Sequence, residues 1–347
     1  MKAVVFKAGN KFSLEDVPMP RIKSPSDAIV KVTTAAICGS DLLAKRGLLP
    51  GLKPGTSIGH EFVGVIEEAG PGVTRFKPGD RVVAPSATWC ATCVPCRRGE
   101  FQHCINGGMW GGGEIFGRDL EGAQAEYIRV KYPDNCLQAI PDSVSDEEAI
   151  FVGDVFSTGF SAARSGRIKP GDTVVVYGCG PIGLGAVISA WQFGPKKVIA
   201  VDMLEKRLTL AKRYGAETIN ARSAAPPDVV MEMTGGEGAD VVIEAIGHPK
   251  TFGMSLGSVR RGGTVSVIGI FPEPIELPIN FYCAYGVNIS MGLADISRLR
   301  ELMSLVEEKR VDLTPLATHV FPLEEAMAAY DLFENHKEEC LKVLLKP

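Results

Sequence analysis

The stretch Thr173-Val-Val-Val-Tyr177, Gly178-Cys179-Gly180-Pro181-Ile182-Gly183, a small-residue segment, then Val198-Ile-Ala-Val-Asp202 decides the fold. Its first five residues are apolar and β-branched, as a strand buried on both faces requires. Gly178, Gly180 and Gly183 stand where that strand must turn sharply into a helix and let a pyrophosphate approach the backbone. The first turn of the following helix offers unpaired N–H groups and a positive dipole end to such an anion. Asp202 closes the second strand at the spacing where an acid accepts hydrogen bonds from an adenosine ribose. A glycine triplet alone is weak evidence. Placed between a strand and a helix, with an acid ending the next strand, it predicts a doubly wound, parallel dinucleotide-binding sheet. The plainer reading is a glycine turn that packs helix on strand without a ligand.

Composition sets the frame around this unit. The chain has 347 residues, more than one ordinary domain needs, with 45% hydrophobic and 22% charged residues. A net charge of −4 makes no electrostatic case for nucleic acid. No apolar run reaches the length of a membrane span. The start, Met1-Lys-Ala-Val-Val-Phe-Lys7, reads as an alternating strand and not as a signal peptide. With no such signal, nine cysteines point to thiols and metal ligands in a reducing cytoplasm, not to disulfides.

Residues 1–153 are rich in Gly, Pro and short β-like runs at 28–36, 62–69, 81–84 and 125–130, which predicts an irregular, mostly antiparallel β domain. It carries two metal signals. Cys38-Gly-Ser40-Asp41 and Gly59-His60-Glu61 supply a thiolate and an imidazole, two of the three protein ligands that a catalytic zinc needs beside its open position. By spacing alone this pair is weak, since isolated buried Cys and His are common. Cys90-x2-Cys93-x2-Cys96-x7-Cys104 is stronger: four thiolates within fifteen residues can close tetrahedrally around a structural zinc. His103 is an alternative ligand there. Cys136, Cys179, Cys283 and Cys340 follow no ligand pattern.

At this point a resemblance emerges. Gly59-His60-Glu61-x2-Gly64-x5-Gly70-x2-Val73 resembles the signature of the zinc-containing alcohol dehydrogenases of the medium-chain dehydrogenase/reductase family. Cys38-Gly-Ser-Asp, the four-cysteine loop and Gly178-x-Gly-x-x-Gly follow in the family's order, so the likeness covers essentially the whole chain. It implies a GroES-like catalytic domain (1–153 and a return segment, 291–347) split around a Rossmann NAD-binding domain (154–290), and two zinc ions per chain. It puts the third catalytic ligand at Asp154, within Phe151-Val-Gly-Asp154-Val-Phe-Ser-Thr158. A helix N-cap is the ordinary alternative for that residue. With Glu121-Gly-Ala-Gln-Ala-Glu-Tyr127, this version is similar to secondary-alcohol and glutathione-independent formaldehyde dehydrogenases. Glu61 would approach the metal or simply pair with a nearby base.

The implied chemistry uses Cys38, His60 and Asp154 as zinc ligands and Ser40 as the first proton acceptor. Hydride then passes from a small secondary alcohol to NAD. Leu43 occupies the place where some family members carry the histidine that ends the proton relay. Asp202 favours NAD over NADP, partly offset by Arg207. Gly247, Gly269 and Ile270 fall where the family contacts the nicotinamide half, and a base near Lys342 falls where it can approach the cofactor phosphates, a solvated lysine being the plainer reading. Trp110, Phe156 and Leu293 are expected as substrate-pocket walls. In the Rossmann part, strands are expected at 173–177, 198–202, 240–245, 264–270 and 287–290, and helices at 181–192, 204–214 and 250–260. The family forms dimers or tetramers, and a tetramer is the expectation here. Competing readings are an aldehyde dehydrogenase or dismutase and a non-catalytic nucleotide-binding protein.

Overall fold

The computed structural model describes every residue except Asp119. The chain divides into two compact units, Met1–Ser157 with Asp295–Pro347, and Thr158–Ala294. The division falls at Ser157, not at the expected 153, because the turn that carries Asp154 packs on the first unit. A Cβ on Gly153 would stand 2.2 Å from the Ala84 carbonyl, so only glycine permits that approach.

The first unit is built on a seven-stranded sheet. Its order is His319–Pro322, Val343–Lys346, Asp27–Ala36, Glu61–Ala69, Arg81–Val83 and Gln138–Ala139, with Tyr127–Lys131 also paired to Asp27–Ala36. Register does the work of assembly. Ala36 pairs with Glu61 and also with Leu344, so the residues just beyond these strand ends are drawn to one place. The N-terminal strand Lys2–Lys7 pairs with Lys11–Asp16, but it does not alternate. Ala3 to Phe6 are all buried, and the strand is paired along its second edge as well, through bridges to Ala125 and Ser57.

The second unit is a six-stranded, wholly parallel sheet. The order is Glu217–Asn220, Lys197–Asp202, Thr173–Tyr177, Ala239–Glu244, Val259–Val267 and Asn288–Met291. Thr173–Tyr177 lies at its centre with every residue buried, as its unbroken β-branched run requires. The expected helices appear as Pro181–Ala190, Glu205–Arg213 and Pro249–Ser258. Among the elements outside the expectation are the edge strand Glu217–Asn220 and the helices Ser157–Ser165, Pro226–Met233 and Ile279–Tyr285. Glu-Thr-Ile-Asn has one apolar residue and no readable period, and the helix Pro226–Met233 opens on two prolines that locally read as loop. Pairing with Lys197–Asp202 makes the strand, and proline at a first helical turn costs nothing. The strand expected at 264–270 begins earlier and ends at Val267. Past it, Ile268 and Gly269 both donate to the Glu244 carbonyl, at 2.9 and 3.0 Å, and turn the chain away.

Candidate active site and nucleotide loop

Cys38, His60, Glu61 and Asp154 converge in the first unit, one ligand atom of each lying within 4.8 Å of the others. The Ala36–Glu61 pairing delivers Cys38 and His60, one just past a strand end and one just before a strand start. Asp154 arrives by another route. The helix Asp146–Phe151 opens with a capping box between Ser145 and Glu148 and passes into a π-helical turn, Val152–Phe156. That wide turn displaces the side chain from ordinary helical register, a device found often at functional sites. Ser157 Oγ donates to the Gly153 and Asp154 carbonyls at 3.0 and 3.1 Å, satisfying groups that the wide turn frees. Asp154 is thus inside a helix and is not its N-cap. Its Oδ2 lies 4.0 Å from Cys38 Sγ.

The donor set fits zinc. It offers a soft thiolate, an imidazole and a carboxylate from three separate segments, the number that leaves a fourth position open. Ser40 Oγ lies 3.4 Å from His60 Nε2, on the ring edge opposite the Asp41 carboxylate. Glu61 Oε2 is buried with no hydrogen-bond partner. Burial pushes the Glu61 carboxyl up, against the pull of the Lys342 ammonium.

Lys342 is paired with Glu61 and only 1% exposed, which corrects its reading as a solvated lysine or a base reaching for phosphates. The cause is register again: Leu344 pairs with Ala36, so the residue two places earlier lands beside Glu61. Burial disfavours its charge, but the Glu61 carboxylate outweighs this and holds the ammonium above its ordinary value.

The four-cysteine loop closes as expected. Sγ–Sγ distances are 3.6 Å for Cys90–Cys104 and 3.8 Å for Cys93–Cys104. Tetrahedral zinc with bonds of about 2.3 Å requires roughly 3.8 Å between sulfurs. All four thiols converge, and His103 is not among the converging donors. Cys104 Sγ accepts from Cys90 and Gly107 N–H, both at 3.2 Å, and Cys90 Sγ accepts from Thr92 Oγ1 and Asn106 Nδ2, both at 3.4 Å. Burial resists ionisation of Cys90, but these donors bring its thiol down to about 5. Such N–H···S bonds stabilise a metal-bound thiolate.

In the second unit, Gly178 has φ +93°, a conformation that glycine adopts without strain. A Cβ on Gly183 would stand 1.7 Å from the Gly178 carbonyl, so the helix packs against the strand end only with glycine there. Gly180 faces open space, the nearest atom to a Cβ being Arg207 Nη1 at 3.9 Å. Pro181 and Ile182 open the helix Pro181–Ala190 behind it. This cradle fits a pyrophosphate. Asp202 Oδ2 accepts from Cys179 N–H at 2.7 Å, while Oδ1 accepts from Met203 and Leu204 N–H at 2.7 and 2.9 Å. The carboxylate therefore holds the glycine loop as well as ending its strand.

Gly247 and Gly269 press two loops together: a Cβ on Gly269 would lie 2.2 Å from Gly247 N. Ile270 beside them is 47% exposed. Glu244, which sequence reasoning missed, fixes this junction. Its Oε1 accepts from Ile246 N–H, Gly247 N–H and Thr251 Oγ1 at 3.1, 3.0 and 2.7 Å. The signal was an acid at the end of an apolar strand. Asp41 was missed too, although it stands three residues after Cys38. Its Oδ1 lies 3.5 Å from His60 Nδ1, and its Oδ2 accepts from Cys38 N–H at 2.9 Å.

Residues 24–142 match the alcohol dehydrogenase GroES-like domain and residues 181–308 the zinc-binding dehydrogenase domain. An alcohol dehydrogenase of Cupriavidus necator is 37% identical over 100% of this chain and 99% of its own. The chain belongs to the zinc-containing alcohol dehydrogenases of the medium-chain dehydrogenase/reductase family. A zinc-type alcohol dehydrogenase-like protein of Bacillus subtilis is 36% identical, with both chains fully covered. The structure of the alcohol dehydrogenase TADH from Thermus sp. ATN1 superposes with a TM-score of 0.93 at 39% identity, covering 100% of this chain and 99% of that one.

The protein is accordingly an oxidoreductase, and the non-catalytic reading falls away. Two expected pocket walls of this zinc-type alcohol dehydrogenase need correction. Trp110 has no accessible surface, donates from Nε1 to the Pro85 carbonyl at 2.9 Å and packs edge-on against Phe62. Phe156 is equally inaccessible, inside the π turn. A side chain lining an open site would keep surface, so both are core residues. Leu293, in the second unit, is 43% exposed.

Proposed function

We propose that this protein is a zinc-dependent dehydrogenase that transfers hydride between a small secondary alcohol and NAD, giving the ketone in the forward direction. The observation that carries the reading is the convergence of Cys38, His60 and Asp154 beside the Ser40 hydroxyl. Zinc held by these donors would supply a Lewis acid that lowers the pKa of an alcohol. The chain's own residues do the rest. Ser40 would accept the alcohol proton at Oγ while its own hydroxyl proton leaves to water or to a ribose hydroxyl of the bound cofactor, so it never becomes charged, and Leu43 beyond it adds no acid or base. Cys90, Cys93, Cys96 and Cys104 hold a second, structural zinc with no position left for substrate. Leu293 has surface to offer an apolar substrate.

NAD is the preferred dinucleotide in this reading because Asp202 presents a carboxylate where a 2′-phosphate would add like charge. Arg207, near Gly180, softens this preference without reversing it. The protein acts in the cytoplasm as a homo-oligomer, a tetramer before a dimer. Supporting this, Asn288–Met291 is an edge strand whose Met291 is exposed, and Ile279 and Phe281 in the helix that precedes it in sequence are half or more exposed. Dialysis against a chelator until the site is metal-free should abolish alcohol oxidation, and added zinc should restore it. Full turnover in protein shown to be zinc-free would refute the reading.

A further inference from the structure

The Asp41 carboxylate sits at the centre of a buried network that the reaction itself does not use. Asp41, Gln124 and Tyr330 are 5%, 0% and 2% exposed. Asp41 Oδ2 accepts from three donors: Cys38 N–H at 2.9 Å, Gln124 Nε2 at 3.0 Å and Tyr330 Oη at 3.2 Å. Gln124 Nε2 also donates to the Ala36 carbonyl at 3.2 Å, and Gln124 Oε1 accepts from Tyr330 Oη at 2.8 Å. Both neighbours of Nε2 are acceptors, so the amide has only one orientation. Its two protons and its oxygen are all used. Tyr330 shares its single proton between Gln124 and Asp41, and its ring is held against Phe12 at 4.9 Å.

The consequence is a division of labour within one carboxylate. Oδ2 is saturated by the three donors, which leaves Oδ1 facing His60 Nδ1 at 3.5 Å. An acceptor fixed there selects the tautomer with the proton on Nδ1, which leaves the metal-binding lone pair on Nε2, the nitrogen beside Ser40. The other oxygen of that carboxylate, Oδ2, ties down the backbone of Cys38, so two of the three ligands depend on where Asp41 sits. Gln124 is also pressed on the ligand segment, since a Cβ on Gly59 would lie 2.4 Å from Gln124 Cγ.

We propose that Gln124 and Tyr330 are positioning residues of the metal site. By holding Asp41 they set the orientation of His60 and Cys38, and so the affinity and ligand field of the bound metal. The inference rests on the reading that Cys38, His60 and Asp154 bind zinc. The four-cysteine zinc of the same chain supplies an internal control, because no member of the network touches it.

The test uses the full-length, zinc-loaded protein and two variants. Gln124→Met keeps the volume but removes both donors, and Tyr330→Phe removes only the hydroxyl while the ring stays packed on Phe12. Zinc is withdrawn by titration with a chelator, and the catalytic site is then refilled with Co2+ for visible spectroscopy. The parent should hold two zinc ions in two affinity classes. Gln124→Met should weaken the catalytic class by about 10- to 100-fold, the range typical of lost outer-shell partners. Tyr330→Phe should weaken it several-fold. In both, the four-cysteine zinc should stay put and the Co2+ ligand-field bands should shift. Catalytic-class affinity and spectra equal to the parent in Tyr330→Phe would overturn the proposal, even if Gln124→Met proved too unstable to measure. A parent holding one zinc, bound only by the four cysteines, would overturn the metal-site reading and this proposal with it.

Discussion

At the scale of single residues, the ligand types were readable in the sequence, but their supports were not. The four-cysteine loop announces itself by spacing, whereas Cys38 and His60 stand out only through the order of motifs that carries the family resemblance. Lys342 lies 281 positions from Glu61 and reaches it only through the register of three strands, which no local pattern encodes. Removing that ammonium leaves a buried, uncompensated carboxylate. Lys342→Met should therefore destabilise the protein by about 3–5 kcal/mol, read as a lower midpoint in urea. An unchanged midpoint would mean that Glu61 has another partner. Asp202 has two functions that one substitution can separate. Asp202→Ser should reduce kcat/KM for NAD by about tenfold or more, the loss of a charge-assisted hydrogen bond being about 1.5–3 kcal/mol. The NADP to NAD ratio should rise at the same time. An equal loss with both dinucleotides would assign the carboxylate only to its backbone contacts with Cys179, Met203 and Leu204.

At the scale of elements, legibility followed apolar content. Thr173–Tyr177 is buried on every residue, and its bounds were those expected from the β-branched run. Glu217–Asn220 was not legible, because a polar edge strand is made by pairing and not by its own composition. The π turn at Val152–Phe156 was equally hidden, since an Asp after a Gly in this stretch reads locally as a helix N-cap and not as the middle of a helix. The buried indole of Trp110 likewise gave no local sign of its partner at Pro85. The strand-turn-helix at Gly178–Gly183 makes the sharpest prediction here. In Gly183→Ala the new methyl meets the Gly178 carbonyl at 1.7 Å and must push helix from strand. Stability should fall by about 1–3 kcal/mol, as overpacking costs. Dinucleotide affinity, measured by fluorescence titration, should fall with it. Retained affinity would show that the loop has room that this geometry denies.

At the scale of the whole molecule, the combination of a metal-binding unit and a nucleotide-binding unit defines the protein more than either part does. The order of motifs along the chain was enough to find both, whereas substrate identity stayed beyond reach because pocket walls come from residues without a pattern. Light scattering should give a mass near four times the chain's 37.1 kDa. A monomer would leave the exposed Ile279, Phe281 and Met291 to be explained otherwise. The measurement that tests the account most directly is cofactor reduction by protein carrying two zinc ions per chain. Secondary alcohols, primary alcohols, polyols and formaldehyde are each assayed with NAD and NADP. The account predicts turnover of secondary alcohols with NAD, lost when Cys38 is replaced by alanine. Turnover of formaldehyde alone, or of no alcohol with either dinucleotide, would contradict it.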